Sequence, residues 1–345
     1  MCCDYEYIDN GTVASLGESL PFDFIGSTTT IPSVCGEAGE DVLGLLVLTS
    51  DDVYFATGIT ESLEEDYEQK IDSIYNSTCA KLPGNPTLGI FAGPFMLSLS
   101  SDTQTAALNK ASNGLPLFGG ISLDYDEHVE NPSTLHNGQA YSSALPLILF
   151  SGNLQPSFFL ESIPESRFVK QKAVITKSER NILQEVNNIP AMDYIESLGL
   201  AKDGIIDSIP SIPLSIDIGD GGSPVARAIL GMTPQGEVVC GGEMPESAAL
   251  GVGSFNPDDV RFTVERLSQN IISTPNPQGA LIVSCFSRNL ALGLDTLAEI
   301  EKVQEVLGDE VPYLLFYSSG EIFPEITESK VYNKAHNDSI IACVF

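Results

Sequence analysis

Residues 280–324 read ALIVSCFSRNLALGLDTLAEIEKVQEVLGDEVPYLLFYSSGEIFP. The first seven, 280–286, form a short apolar run around Ile282 and Val283, the pattern of a strand buried on both faces. Thr296 and Glu299 have the spacing of a capping box, in which hydroxyl and carboxylate each satisfy a free amide at a helix start. Leu297, Ile300, Val303 and Leu307 make one apolar stripe, with Glu301, Lys302 and Glu305 opposite. Gly308 stops this helix and Pro312 keeps it from restarting, after which 311–317 is a second apolar run. A strand, helix and strand of this length predict a right-handed crossover between two parallel strands.

Parallel strands end on the same edge of their sheet. That edge gathers Cys285, Ser287 and Arg288 from one strand with Ser318, Ser319, Gly320 and Glu321 from the other. Open α/β sheets bind ligands outside the carboxyl ends of their strands. Arg288 suits a ligand carboxylate, Glu321 an amine or hydroxyl, and Gly320 a close backbone approach, so the set fits a small zwitterion or polar metabolite. The plainer alternative is an Arg288–Glu321 ion pair that closes the edge.

Working outward, residues 43–49 and 53–59 flank Ser50-Asp51-Asp52 and predict a hairpin. A helix over 63–80 follows, opened by the acidic run ESLEEDYE, which favours a helix N-terminus. Then come a strand over 87–95, a helix over 102–112 and a strand over 115–123 interrupted at Gly119-Gly120. That pair of glycines either admits a ligand or bends the strand end. Residues 141–150 and 157–163 add antiparallel strands. Residues 173–176 and 181–186 read as a hairpin, and a short helix runs from Pro190 to Gly199. A second hairpin (213–218 with 225–230), strands at 237–240 and 248–255, and a helix over 257–273 capped by Asn256 lead back to residue 280.

The two halves repeat one plan. TLGIFAGP and ALIVSCFS occupy equivalent places, as do LPLFGG and VPYLLFYSSGE, then HNG and HND; sixteen positions separate Gly120 from His136 and Gly320 from His336. The fold class expected is therefore α/β, with two related lobes. Each has a mixed β-sheet, flanking helices and a parallel βαβ crossover. Residues 1–172 form the first lobe, 173–200 a strand-turn-strand-helix adaptor, and 201–345 the second lobe.

Composition narrows the function classes. The 345 residues are 43% hydrophobic, enough for a substantial core, and carry a formal charge of −31, which repels nucleic acid and anionic membranes. Seven cysteines lie scattered without a CxxC pair or zinc spacing, the usage of reduced thiols in the cytoplasm. The start MCCDYEYIDN has no basic and apolar leader, and no apolar run nears the ~20 residues of a membrane helix. Cys285 as a nucleophile needs a base, and His128, His136 and His336 sit in no hydrolase signature, so a core cysteine is the simpler reading. The run DYDEHVE (124–130) is either a divalent-cation loop or a solvated one, and the latter is preferred. Residues 217–222, DIGDGG, suit a hairpin turn better than a calcium loop. No Walker or dinucleotide glycine pattern occurs, so neither metal nor nucleotide is expected.

Six segments in order carry a resemblance: LPFDFIGSTTT (20–30), LPLFGGISLD (115–124), VITKSERNILQEVNNIPAMDYIESLGL (174–200), ALIVSCFSRNLALG (280–293), PYLLFYSSGEI (312–322) and HNDS (336–339). The chain resembles the FIST sensory domains of bacterial signal-transduction proteins, a FIST N part followed by a FIST C part. The resemblance implies a cytoplasmic, non-enzymatic module that binds a small molecule such as an amino acid. It also implies coupling to an output partner: a kinase, a cyclic-dinucleotide enzyme or a chemoreceptor. Its pattern falls on Gly26, Thr28 and Thr29, on Gly119, Gly120 and Asp124, on Cys285 and Arg288, and on Gly320, Glu321 and Asn337. Ser319 joins them from the strand tip. One branch of the family binds haem and senses nitric oxide, which makes His336 the alternative axial ligand. A cysteine-dependent enzyme is the third reading.

Overall fold

The computed structural model describes residues 1–39, 41–124, 132–169, 173–206, 208–328 and 330–345. Two six-stranded mixed sheets organise it. The first runs Val331–His336, Glu321–Ile326, Leu117–Ile121, Pro86–Gly93, Pro146–Gly152, Val53–Ile59; the second runs Ser157–Glu161, Ile340–Val344, Ala280–Cys285, Tyr313–Ser318, Ser33–Val34, Glu37–Ala38. Each contains one parallel pair, Pro86–Gly93 with Leu117–Ile121 and Ala280–Cys285 with Tyr313–Ser318, as the crossover pattern requires. All remaining neighbours in the two sheets are antiparallel. The fold is mixed α/β, and its two halves share one strand plan.

Side-chain alternation sets the layers. Leu88, Ile90, Phe118 and Phe150 of the first sheet meet Val283, Leu314, Phe316 and Ile341 of the second in one apolar cluster. Their neighbours Phe91, Leu117, Leu147 and Leu149 face Ile71, Tyr75 and Leu108 from the helices Tyr67–Cys79 and Ser101–Ser112. Ile282, Leu315 and Ala342 face Val264, Leu267, Ile300 and Val303 from the helices Pro257–Ile272 and Ala298–Leu307. Four layers result, helices outside and the sheets packed face to face, because the central strands are apolar on both sides.

The halves are interlaced. Glu321–Ile326 and Val331–His336 complete the first sheet, and Ser33–Val34 and Glu37–Ala38 complete the second. Residues 173–190 and 214–252 share an eight-stranded sheet with its own core around Ile175, Leu183, Ile195 and Leu250. A small sheet of Cys2–Cys3, Ile25–Thr28, Thr134–His136 and Gln139–Tyr141 completes the fold.

Three local expectations change. Val53–Ile59 pairs with Pro146–Gly152, not with residues 43–49, which form no strand and whose backbone pairs, among the described residues, only through a Cys2–Gly44 bridge. Their leucines instead cover the gap between the two sheets, which buries apolar area that a sheet edge would leave wet. Ser157–Glu161 joins the second sheet beside Ile340–Val344, away from the first-half strands. The helix over 298–307 has no side-chain cap, because Glu299 is fully buried and binds elsewhere. The run DYDEHVE, with His128, lies outside the described residues after Asp124.

Candidate functional site

The parallel strands Ala280–Cys285 and Tyr313–Ser318 are in register to their tips, Cys285 opposite Ser318. Cys285 is the N-cap of a helix, Phe286–Leu292, that starts without a loop. This tight turn points Arg288 into the protein. Its Nε lies 2.9 Å and its Nη2 2.6 Å from Glu299 Oε1, Nη2 also donates to Thr263 Oγ1 at 3.0 Å, and the Phe255 ring centroid is 5.7 Å away. Both charges of this pair are completely buried. The partner of Arg288 is thus Glu299, and the ion pair with Glu321 does not form. Nη1 keeps no partner, so Glu299 leaves one donor of the fork unused.

Glu321 lies between the sheets at the same edge. Ser318 Oγ donates to its Oε1 at 2.7 Å and Ser339 Oγ to its Oε2 at 2.8 Å. Burial pushes its carboxyl up to about 8, and the nearby Asp338 charge adds to the rise. Asp338, in the left-handed region at φ 53°, is raised to about 6, again by burial. Ser287 donates to its Oδ1, and the same hydroxyl lies 3.0 Å from Cys285 Sγ. One hydroxyl proton cannot serve both, so the thiol is left to donate to Ser287. Burial and the charges of Glu321 and Asp338 hold the Cys285 thiol well above its usual range, the opposite of an activated nucleophile.

The other expected residues gather here too. Thr29 Oγ1 donates to Tyr317 O at 2.7 Å and accepts from Tyr317 N at 3.0 Å, and Thr28 Oγ1 accepts from Ser133 N at 2.8 Å. Gly119 and Gly120 pair with Ile322 and Glu321, Ile121 N donates to Gly320 O, and Ser319 N donates to Ile121 O. The two glycine corners therefore meet each other directly. A Cβ on Gly119 would lie 2.0 Å from Phe91 O, so this glycine serves backbone packing. Asn337 Nδ2 donates to Ser319 O at 3.3 Å, and Asp124 is buried alongside the strand end it follows.

Sequence reasoning missed Glu299, Ser339 and Asp338. Asp338 directly follows Asn337, and its place after Val331–His336, a strand antiparallel to Glu321–Ile326, was the available signal. Two acceptors of the cluster, Asn337 Oδ1 and Asp338 Oδ2, are buried without a partner. Among the three cavities described, Ser319 lines a small one of about 70 Å³ facing Arg180 and Asn181. A cleft of about 370 Å³ lies between helix Ser101–Ser112 and the middle sheet, and an apolar cavity of about 450 Å³ lies between the two large sheets.

His336, the alternative haem ligand, is enclosed by protein. The imidazole is buried edge-on to Phe323, 6.4 Å between centroids, and lines none of these cavities. Burial, with the Arg227 and Lys334 charges, pushes it down to about 3, so the ring is neutral. No helix among the described residues is long and apolar enough to cross a membrane. No grouping of metal-binding side chains occurs among them either.

No curated protein matches the sequence. The FIST N domain matches residues 2–189 and the FIST C domain residues 181–324, together spanning both halves and the middle sheet. The chain belongs to the FIST family, whose members are sensory domains of signal-transduction proteins.

Proposed function

We propose that this FIST protein is a cytoplasmic, non-enzymatic sensor that binds a small polar ligand, amino-acid-like, where the carboxyl edges of the two sheets join. Glu321, Asp338 and Asn337 receive the amine or hydroxyl of that ligand. Arg288 takes no part, its guanidinium being held by Glu299 and Thr263. The observation that carries this reading is the pair of buried acceptors without partners, Asn337 Oδ1 and Asp338 Oδ2. Such atoms cost free energy until a donor arrives. Asn337 N also donates to Ala226 O of the middle sheet, and a Cβ on Gly241 would lie 2.7 Å from Asn337 Oδ1. A ligand seated at Asn337 thus acts on the contact between the middle sheet and the joined edges. That contact is the route by which binding shifts the population seen by an output domain such as a kinase, cyclic-dinucleotide enzyme or chemoreceptor.

The test is a thermal-shift screen of amino acids and small amines against wild type, Asp338→Asn and Glu321→Gln. At least one compound raises the wild-type Tm, and Asp338→Asn abolishes that rise. A cationic amine also favours ionised Glu321, so binding at pH 7 releases protons, which calorimetry in buffers of different ionisation enthalpy reads directly. A screen without any stabilising compound defeats the reading.

A further inference from the structure

We infer a second ligand site: the cavity between the two large sheets, which takes a small neutral or cationic amphiphile, its apolar body between the sheets and its polar end at Asp23. The cavity measures about 450 Å³, within the range of small-molecule sites, roughly 300–1,000 Å³. Ile90, Ile148 and Phe150 form one wall, and Leu281, Leu314 and Phe316 form the other. Close packing is the rule in protein interiors, so a hollow of this size between two apolar sheets departs from it.

Its outer wall is built unlike the rest of the molecule. Residues 45–49 (LLVLT) lie across the gap, in no strand, and among the described residues their backbone makes no hydrogen bond. Phe22, Val47 and Phe55 ring the mouth and expose 42%, 49% and 39% of their surface, an apolar rim with an unsecured flap beside it. A segment held only by side-chain burial opens at little cost compared with a sheet strand.

The one carboxylate of the lining, Asp23, marks its polar end; the amino group of Met1, also in the lining, is taken up by Ile25 O at 2.8 Å, and burial lowers its pKa, which disfavours its charged form. Asp23 Oδ2 accepts from Thr57 Oγ1 at 3.0 Å and Oδ1 from Asn137 Nδ2 at 2.9 Å, which fixes the carboxylate at the mouth with lone pairs to spare. A carboxylate there, in a chain of net charge −31, repels an anionic headgroup and attracts a donor or cation. The class is therefore an aliphatic or aromatic amine or alcohol, favoured over a fatty-acid anion.

N-phenylnaphthylamine, a fluorescent apolar amine, is the probe. Its emission rises and saturates at one equivalent per chain, and decylamine displaces it at least tenfold better than decanoate. Ile148→Trp and Leu281→Trp, one on each sheet, fill the cavity; either variant that keeps the wild-type circular dichroism weakens the probe at least tenfold. Asp23→Asn removes the preference for decylamine over decanoate. Emission that does not saturate, or equal probe affinity in a folded filled variant, overturns the site. Equal displacement by decylamine and decanoate overturns the headgroup assignment.

Discussion

The two halves build the same strand plan but latch it differently. In the first half, the crossover helix Ser101–Ser112 carries the buried Gln104, whose Nε2 donates to Pro94 O at 2.9 Å and Leu99 O at 3.2 Å. In the second, the crossover helix Ala298–Leu307 carries the buried Glu299, which holds Arg288 and accepts from Ser284 Oγ at 2.7 Å. A neutral amide tying down its own loop thus corresponds to a fully buried ion pair. Neutral latches fail gently, whereas a buried pair is unforgiving of losing one partner, because the remaining charge stays in a dry site.

The largest expected effect follows. Arg288→Met strands Glu299 and lowers stability by about 3–5 kcal/mol. Gln104→Leu in the first half costs about 1–3 kcal/mol. The double variant Arg288→Met/Glu299→Leu recovers most of the loss, since two apolar residues replace both charges together. Urea unfolding of the four proteins reads all three values. Equal costs for Arg288→Met and Gln104→Leu would mean that the halves are latched alike.

The repeat itself was legible, because strand and helix periods, Gly308, Pro312 and the ordered segments all act locally. The direction of Arg288 depends on phase and is not legible: with Cys285 as N-cap, the strand becomes a helix at Phe286, and the side chain turns inward to Glu299 instead of along the edge. Glu299 matched a capping box so well that its true partner, eleven residues back, carried no signal. The exchange of hairpins between the sheets pairs Glu321 with Gly120, about two hundred residues apart, and no periodicity reports such a pairing. Residues 43–49 have the composition of a strand but lie across the gap between the sheets, where their backbone finds no pairing beyond the Cys2–Gly44 bridge among the described residues, so tertiary context overrides β-propensity.

A pH series sharpens the comparison next. Burial raises the Glu321 carboxyl from 4.5 to about 8 and that of Asp338 from 3.8 to about 6. The folded state then binds these protons more tightly than the unfolded chain, so the share of stability from these two carboxyls is highest at low pH and falls as pH rises, while His336, held at about 3, contributes in the opposite sense below about pH 6.5. For Glu321 the fall spans roughly pH 4.5 to 8, and it amounts to a few kcal/mol. Glu321→Gln flattens that span and leaves the Asp338 share, complete by about pH 6. Urea midpoints from pH 5 to 8 measure it. A parallel decline in wild type and variant would show that Glu321 ionises freely in the folded protein.

The smallest effects concern the glycine corners, which sequence symmetry makes equivalent and geometry does not. At Gly119 an added methyl meets the Phe91 carbonyl at 2.0 Å, a backbone atom that cannot turn aside, so Gly119→Ala costs about 1–3 kcal/mol. At Gly320 the nearest atom is Asn337 Nδ2 at 3.3 Å, the end of a side chain that there makes a 3.3 Å bond to Ser319 O. Gly320→Ala therefore changes stability by less than about 1 kcal/mol. It nonetheless nudges Asn337, whose carboxamide oxygen awaits a donor. The expected signature is an almost unchanged midpoint in urea together with a reduced Tm response to the ligand that stabilises wild type. If Gly320→Ala is as costly as Gly119→Ala, both corners exist for packing alone. If it leaves the ligand response intact, Asn337 does not touch the ligand.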